Sequence, residues 1–299
     1  MASGMWPAVS GAIAQSRAID TVSNNLANSN TDGFKKDTVT FKKVLDHEQR
    51  EFAHSELQKQ PFPDDDIILL EGSDQDFVVA DRTTSDFSQG SFKVTNAPLD
   101  VALNGPGFLE VSTSQGLRYT RYGGLKISGE GLLMTSDGYP VLASQSIGLV
   151  NALPGQAVQP ISQGRQRTQG GVSVGQIPPE TLARYIQLGD REGSLAITEG
   201  GEIYIGEELI AKLNVVEFKE PKNLEKNKNL LFHNKDVNNI SPNQKATKIF
   251  QGMIEKSNVN PVKEMTQLIQ SQRMFEHNLK AIKTYDSLMN KEANEVGKL

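Results

Sequence analysis

Asn28-x-Asn30-x-Asp32-Gly33 spaces side-chain oxygens as in the first half of a calcium-binding loop. Such a loop closes with a bidentate glutamate at its twelfth position. That position is Val39, so the segment reads as a turn. His47 and His54 bracket Glu48 and Glu51 and would share a helical face, but the spacing is not the His-Glu-x-x-His of a zinc hydrolase. They read as a solvated charged face. Asp64, Asp65, Asp66, Asp74 and Asp76 supply carboxylates, yet glycoside hydrolysis needs two of them held across a cleft in different environments. Consecutive aspartates after Pro61 and Pro63 read instead as a loop. Gly105-Pro106-Gly107 lacks the following helix of a phosphate loop. His233 and His277 have no recognisable nucleophile partner, and Trp6 reads as a packing residue rather than a ligand platform. With no cysteine in the chain, disulfides, thiolate metal sites and cysteine nucleophiles are excluded. The expectation is no catalytic, metal or cofactor site.

A chain of 299 residues has room for one or two domains with a real core. A net charge of −5 gives none of the basic surplus of a nucleic-acid binder, and no nucleic-acid partner is expected. No apolar run approaches the ~18 residues needed to cross a bilayer. Gly11-Ala12-Ile13-Ala14-Gln15 has the small residues of a cleavage site. However, no basic residue precedes Arg17, and Ser3, Trp6-Pro7, Ser10 and Gly11 interrupt any apolar stretch, so no cleaved signal is expected.

Two helices at the ends must therefore be read for what they cover. Residues 3–28 place Met5, Ala12, Ile19 and Leu26 at seven-residue intervals, with Val9, Ser16 and Ser23 on the same stripe. Residues 261–296 place Leu268, Phe275, Ile282, Met289 and Val296 likewise, with Met265, Gln272, Leu279, Asp286 and Ala293 three positions earlier in each repeat. Heptad spacing makes a narrow seam that asks for another helix. Asn260 and Pro261 suit the start of the second helix. Gly4 and Gly11 make the first helix marginal alone, and the cluster from Asn28 to Gly33 stops it. Phe34 is an apolar anchor, and Lys35-Lys36 are expected to return the chain to solvent.

Between the ends the period changes. Residues 37–58 are expected to form a second, charged helix with Phe41, Val44, Leu45 and Phe52 on one face. Short strands follow at Ile67–Leu70, Phe77–Ala80 and Phe92–Thr95, then six more between Leu99 and Leu142, separated by glycine turns. Residues 146–182, rich in glutamine and glycine, read as an inserted loop. Strands resume at Tyr185–Leu188, Leu195–Thr198, Glu202–Ile205 and Lys212–Phe218, and 219–246 reads as a loop. The expected fold is α+β: paired, coiled-coil-like terminal helices and a central antiparallel β domain. The expected division is 1–36 with 247–299 as a helical assembly domain, 37–90 as an extended or helical linker, and 91–246 as the β domain.

Ser23-Asn24-Asn25-Leu26-Ala27-Asn28-Ser29-Asn30-Thr31-Asp32-Gly33-Phe34-Lys35 resembles the N-terminal signature of the bacterial flagellar axial proteins, the rod and hook subunits. Ser257-Asn258-Val259-Asn260, Glu264-Met265 and Ile269–Glu276 resemble their C-terminal signature. Leu99–Phe108, Tyr119-Thr120-Arg121 and Asp137–Leu142 resemble their β domain. The likeness is closer to rod than to hook subunits, because the β region is one compact domain, and it leans to the proximal rod. It implies a structural subunit, not an enzyme. Such a subunit is exported by the flagellar type III apparatus and polymerises with copies of itself and other rod and hook proteins into a periplasm-crossing tube, which transmits torque and conducts exported substrates. Leu26, Phe34, Met265, Leu268, Gln272, Phe275, Leu279 and Ile282 are then the candidate packing and assembly residues. Asn24, Asn25, Asn28 and Gly33 shape the helix end. The alternatives are a hook subunit, or a secreted protein that binds or cleaves cell wall.

Overall fold

The computed structural model describes residues 5–45, 76–144, 184–189, 193–227, 229–242 and 246–296. Several expectations therefore lie outside the described residues: the His47–His54 cluster, Asp64–Asp66 and Asp74, the strand at Ile67–Leu70 and the insert at 146–182. The chain divides into two compact units. One holds residues 1–29, 37–85 and 259–299, and the other holds 30–36 and 86–258.

In the first unit, α1 (Met5–Ala27) packs against α2 (Pro261–Val296). The Asn260 carboxamide caps α2, its Oδ1 accepting the amides of Val262 at 3.1 Å and Lys263 at 3.2 Å. The face α1 buries is built from small residues, Ala12 and Ala14, with Val22 and Asn25 further on. A β-carbon at Gly11 would stand 3.1 Å from the Asn278 carboxamide, so the missing side chain is what admits α2 there. The expected helix beginning at residue 37 is not formed. Asp37–Leu45 is instead β1, paired antiparallel with β2 (Asp76–Ser85) from Asp37↔Ser85 to Leu45↔Asp76, with a bulge at Thr40/Phe41. Thr38-Val39-Thr40-Phe41 is a β-branched and aromatic run, which loses χ1 freedom in a helix and packs well on a pleated ribbon. The extra residue of the bulge is Asp81 on β2, between Arg82 and Ala80, so β1 itself runs without interruption.

The described strands of the second unit all pair antiparallel. Its widest sheet runs β12-β5-β6-β14-β13, formed by Val215–Glu217, Gly107–Thr113, Gly116–Thr120, Leu231–His233 and Glu225–Lys226. A three-stranded sheet joins Glu208–Lys212 (β11), Glu202–Ile205 (β10) and Leu195–Ile197 (β9). Three two-stranded pairs complete it: Lys248–Gln251 (β15) with Val101–Asn104 (β4), Met253–Glu255 (β16) with Phe92–Val94 (β3), and Leu125–Ile127 (β7) with Leu133–Thr135 (β8). The stretch expected to be a loop, 219–246, thus contains β13 and β14.

β5 is buried along its whole length and separates two cores. Leu109 and Val111 face an aliphatic cluster with Leu103, Leu133, Val141, Ile186, Ile203 and Ile249. Phe108 belongs to an aromatic one with Tyr119, Phe218 and Phe232. There the rings meet edge to face, at 5.4 Å for Phe108–Phe218 and 4.9 Å for Tyr119–Phe218. Glu110, between these apolar neighbours, is buried but satisfied by Arg184 and by the Asn214 carboxamide at 2.7 Å.

Candidate assembly surface

Asn25 sits on the last turn of α1 and is 1% exposed. Its carboxamide pairs with a backbone as a strand would: Oδ1 accepts the Asp37 amide at 2.9 Å and Nδ2 donates to the Asp37 carbonyl at 2.8 Å. Nδ2 also faces Glu264 Oε2 at 3.4 Å, on the first turn of α2. One buried side chain therefore ties the end of α1 to the starts of β1 and α2. A carboxylate at Glu264 also suits the positive end of the α2 dipole. Asn28 donates to the Asn24 carbonyl twice, through its backbone amide at 3.1 Å and its Nδ2 at 2.9 Å, while Asn24 itself is exposed.

Along α2, Leu268, Phe275, Ile282 and Met289 are half-buried, as the heptad reading requires. Beside them on the covered face, however, lie Glu264, Ser271 and Asn278, not Met265, Gln272 and Leu279. At about 100° per residue the covered set spans an arc of about 80°. Polar contacts turn the helix this way: Glu264 reaches Asn25, and Asn278 lies against Gly11. Met265 (45% exposed), Ile269 and Leu279 (39%) are left exposed on one flank, with Gln272 between them. Met274, Tyr285 and Leu288 are exposed on the opposite flank. On α1, Leu26 is half-buried, while Ile13 and Trp6 are exposed. Trp6, expected to pack, is 53% open within this chain. The helix pair thus carries apolar side chains on both sides of a face it has already covered.

Gly33 and Phe34 belong to the β unit. Gly33 adopts φ +73°, with its α-carbon pressed on Tyr122, where a β-carbon would come within 2.8 Å of backbone. Phe34 is buried beneath the Lys226 ammonium, 3.7 Å from its ring centroid. Lys35 does not return to solvent. It is 1% exposed, donating to Glu255 Oε1 at 2.6 Å and to the Ser88 carbonyl at 2.7 Å. Arg121, also buried, stands over the Phe108 ring at 4.8 Å with Nη1 3.6 Å from Glu255 Oε2. Burial pulls the Lys35 ammonium below its ordinary pKa, and Glu255 works against that shift. Sequence reasoning passed over this group because lysine is rarely interior and Glu255 lies 220 residues away. The apolar flank Met253-Ile254 before Glu255 was the available signal.

Among the described residues no group of histidines and carboxylates could hold a metal ion, and no helix is long and apolar enough to cross a membrane.

Three family models match the chain. They are described as flagella basal body rod protein over residues 7–35, flagellar hook protein FlgE/F/G D1 domain over 102–205, and flagellar basal body rod FlgEFG protein C-terminal over 251–296. The flagellar basal-body rod protein FlgG of Borreliella burgdorferi is 30% identical over 97% of this chain and 97% of its own length. FlgG of Buchnera aphidicola from Schizaphis graminum is 28% identical over 97% and 98% respectively. The flagellar basal-body rod protein FlgF of Caulobacter vibrioides is 29% identical over 95% and 93%. The two terminal helices and part of the β unit thus fall within segments matched by flagellar axial-protein models. The chain belongs to the flagellar basal-body rod protein family, of the FlgF/FlgG type, and is a structural subunit of that rod. The hook alternative is not favoured, since these full-length relatives are rod proteins.

Proposed function

We propose that the chain builds the rod by stacking its α1–α2 pair between the pairs of two neighbouring copies, polymerising into a tube that crosses the periplasm, transmits torque and passes exported substrates. The carrying observation is the placement of exposed apolar residues on α2: Met265, Ile269 and Leu279 on one flank, Met274, Tyr285 and Leu288 on the other. A helix with one apolar face is finished by one partner. With its covered face already taken by α1 and both flanks apolar, α2 asks for two more. The two flanks differ in residues and position, so each must meet something other than itself. A contact of that kind repeats head to tail and generates an open helical array.

Other rod and hook proteins then cover the ends of the array, and the flagellar type III apparatus delivers the chain to it. The reading is tested with Met265→Asp/Ile269→Asp. The purified variant should keep the wild-type helical circular dichroism and melting temperature, yet be missing from basal bodies when their peptides are identified by mass spectrometry. A variant that is incorporated normally overturns it.

A further inference from the structure

Residues Asn30–Lys36 lie in the β unit, though the chain on either side of them lies in the other unit. Seven residues are too few to hold a place by their own secondary structure, and their fastenings come from distant parts of the sequence. Gly33 N–H donates to the Glu255 carbonyl at 2.7 Å. Lys35 Nζ reaches Glu255 Oε1, and Lys36 N–H donates to Asn258 Oδ1 at 2.8 Å. The Asp86 amide donates to the Lys36 carbonyl at 2.7 Å, and Lys226 Nζ donates to the Lys35 carbonyl at 3.0 Å. Glu255 Oε1 also accepts the Gly90 amide at 2.8 Å, which fixes the loop whose Ser88 carbonyl holds Lys35.

We propose that Asn30–Lys36 is a strap that closes on the β unit only when Glu255 is present, leaving the N-terminal signature undocked until synthesis has passed residues 255–258. An ammonium at the depth of Lys35 needs a counter-charge, and Glu255 is the carboxylate bonded to it. Gly33, Lys35 and Lys36 each have one fastening within residues 255–258, and these three arrive together and late. Before then the strap has only the carbonyls and amides of 86–90 and the Lys226 cation, while Lys35 would enter an apolar interior unpaired. On the rod reading, on which this consequence rests, an open strap keeps the N-terminal signature extended for export and lets the β unit close once residues 255–258 are available.

The test is amide hydrogen exchange on the purified full-length chain, comparing Glu255→Met, Lys35→Met and the double variant with wild type. Glu255→Met should speed exchange at Gly33 and Lys36 by about 100-fold or more, while the β5 and β6 amides stay within about threefold. The double variant spares Lys35 an unpaired burial but still strips the buried Arg121 of Glu255, so it should recover only part of the lost protection. Unchanged protection at Gly33 and Lys36 in Glu255→Met overturns the strap, as does loss spread evenly over β5 and β6. Asn258→Ala serves where Glu255→Met does not fold: it should free the Lys36 amide together with the Asp86 and Ser88 carbonyls that Asn258 Nδ2 also holds, and an unmoved Lys36 counts against the strap. The measurement needs no flagellum, so its failure leaves the rod reading standing, and a chain missing from basal bodies leaves the strap standing.

Discussion

Asn25 and Gly33 mark the two ways a single position constrains this chain. Asn25 was legible as a residue that stops a helix, but its task is wider, because both hydrogen bonds to Asp37 and the approach to Glu264 are buried. Asn25→Ala strands the Asp37 amide and carbonyl, and should cost about 1–3 kcal/mol in urea unfolding without changing the β unit's spectrum. Gly33→Ala adds a methyl where φ is +73° and the Tyr122 backbone is 2.8 Å away. A loss of about 2 kcal/mol or more in the same measurement is expected. Lys35 was misread because nothing local to it announces burial; its partner is supplied by the fold.

Titration gives an independent view of the β unit. Burial, helped by the nearby Glu110 carboxylate, raises the Tyr119 phenol from 10 to about 12. Its folded form therefore holds a proton that the unfolded chain gives up first. The stabilisation is complete below pH 10 and is lost as pH rises from 10 towards 12. Of the six tyrosines, one should ionise last in the 295 nm absorbance titration, and Tyr119→Phe should remove that late step. A titration with no step near pH 12 would show that Tyr119 is open to water.

At the scale of elements, period was a reliable guide where an element is packed on one side, and a poor one elsewhere. Both terminal helices emerge with their expected bounds nearly intact, and so do five of the six glycine-separated strands expected from Leu99 to Leu142, the sixth, Tyr139–Leu142, making only isolated bridges. β1 was lost to a helical reading because its partner β2 lies some forty residues on, and Phe41, Val44 and Leu45 fall at spacings a helix also uses. β13 and β14 are short and lie among lysines and asparagines, where pattern carries little information. On α2 the covered face includes Glu264, Ser271 and Asn278 beside Leu268, Phe275 and Ile282; the first three are polar, and no hydrophobic count selects them. The covered and exposed rows should answer differently to mutation. Phe275→Ala should lower the stability of the helical unit by about 1–2 kcal/mol, about half the cost of a fully buried phenylalanine. Leu279→Asp should leave the melting temperature within a degree or two and act on assembly alone. Equal destabilisation by both would mean that Leu279 belongs to the interior.

At the scale of the whole molecule, the consequence of two unlike apolar flanks is directional growth, and directional growth predicts dominance. A subunit carrying Met265→Asp/Ile269→Asp presents one spoiled flank and one intact flank, Met274, Tyr285 and Leu288. It can still join a growing array through the intact side, and it then offers the next copy a pair of carboxylates where an apolar surface is needed. Placing those charges against apolar residues without partners costs several kcal/mol, enough to stop addition. Co-expressed with wild type, this variant should poison motility out of proportion to its abundance. Adding Met274→Asp and Leu288→Asp to it removes the second flank, so the quadruple variant can no longer join and should be recessive. A two-flank subunit thus loses its dominance when it is damaged further. An array closed through one symmetric patch predicts the opposite, recessive behaviour in both cases. Swarm diameter in soft agar, read against the ratio of variant to wild-type protein in the cell, separates the two.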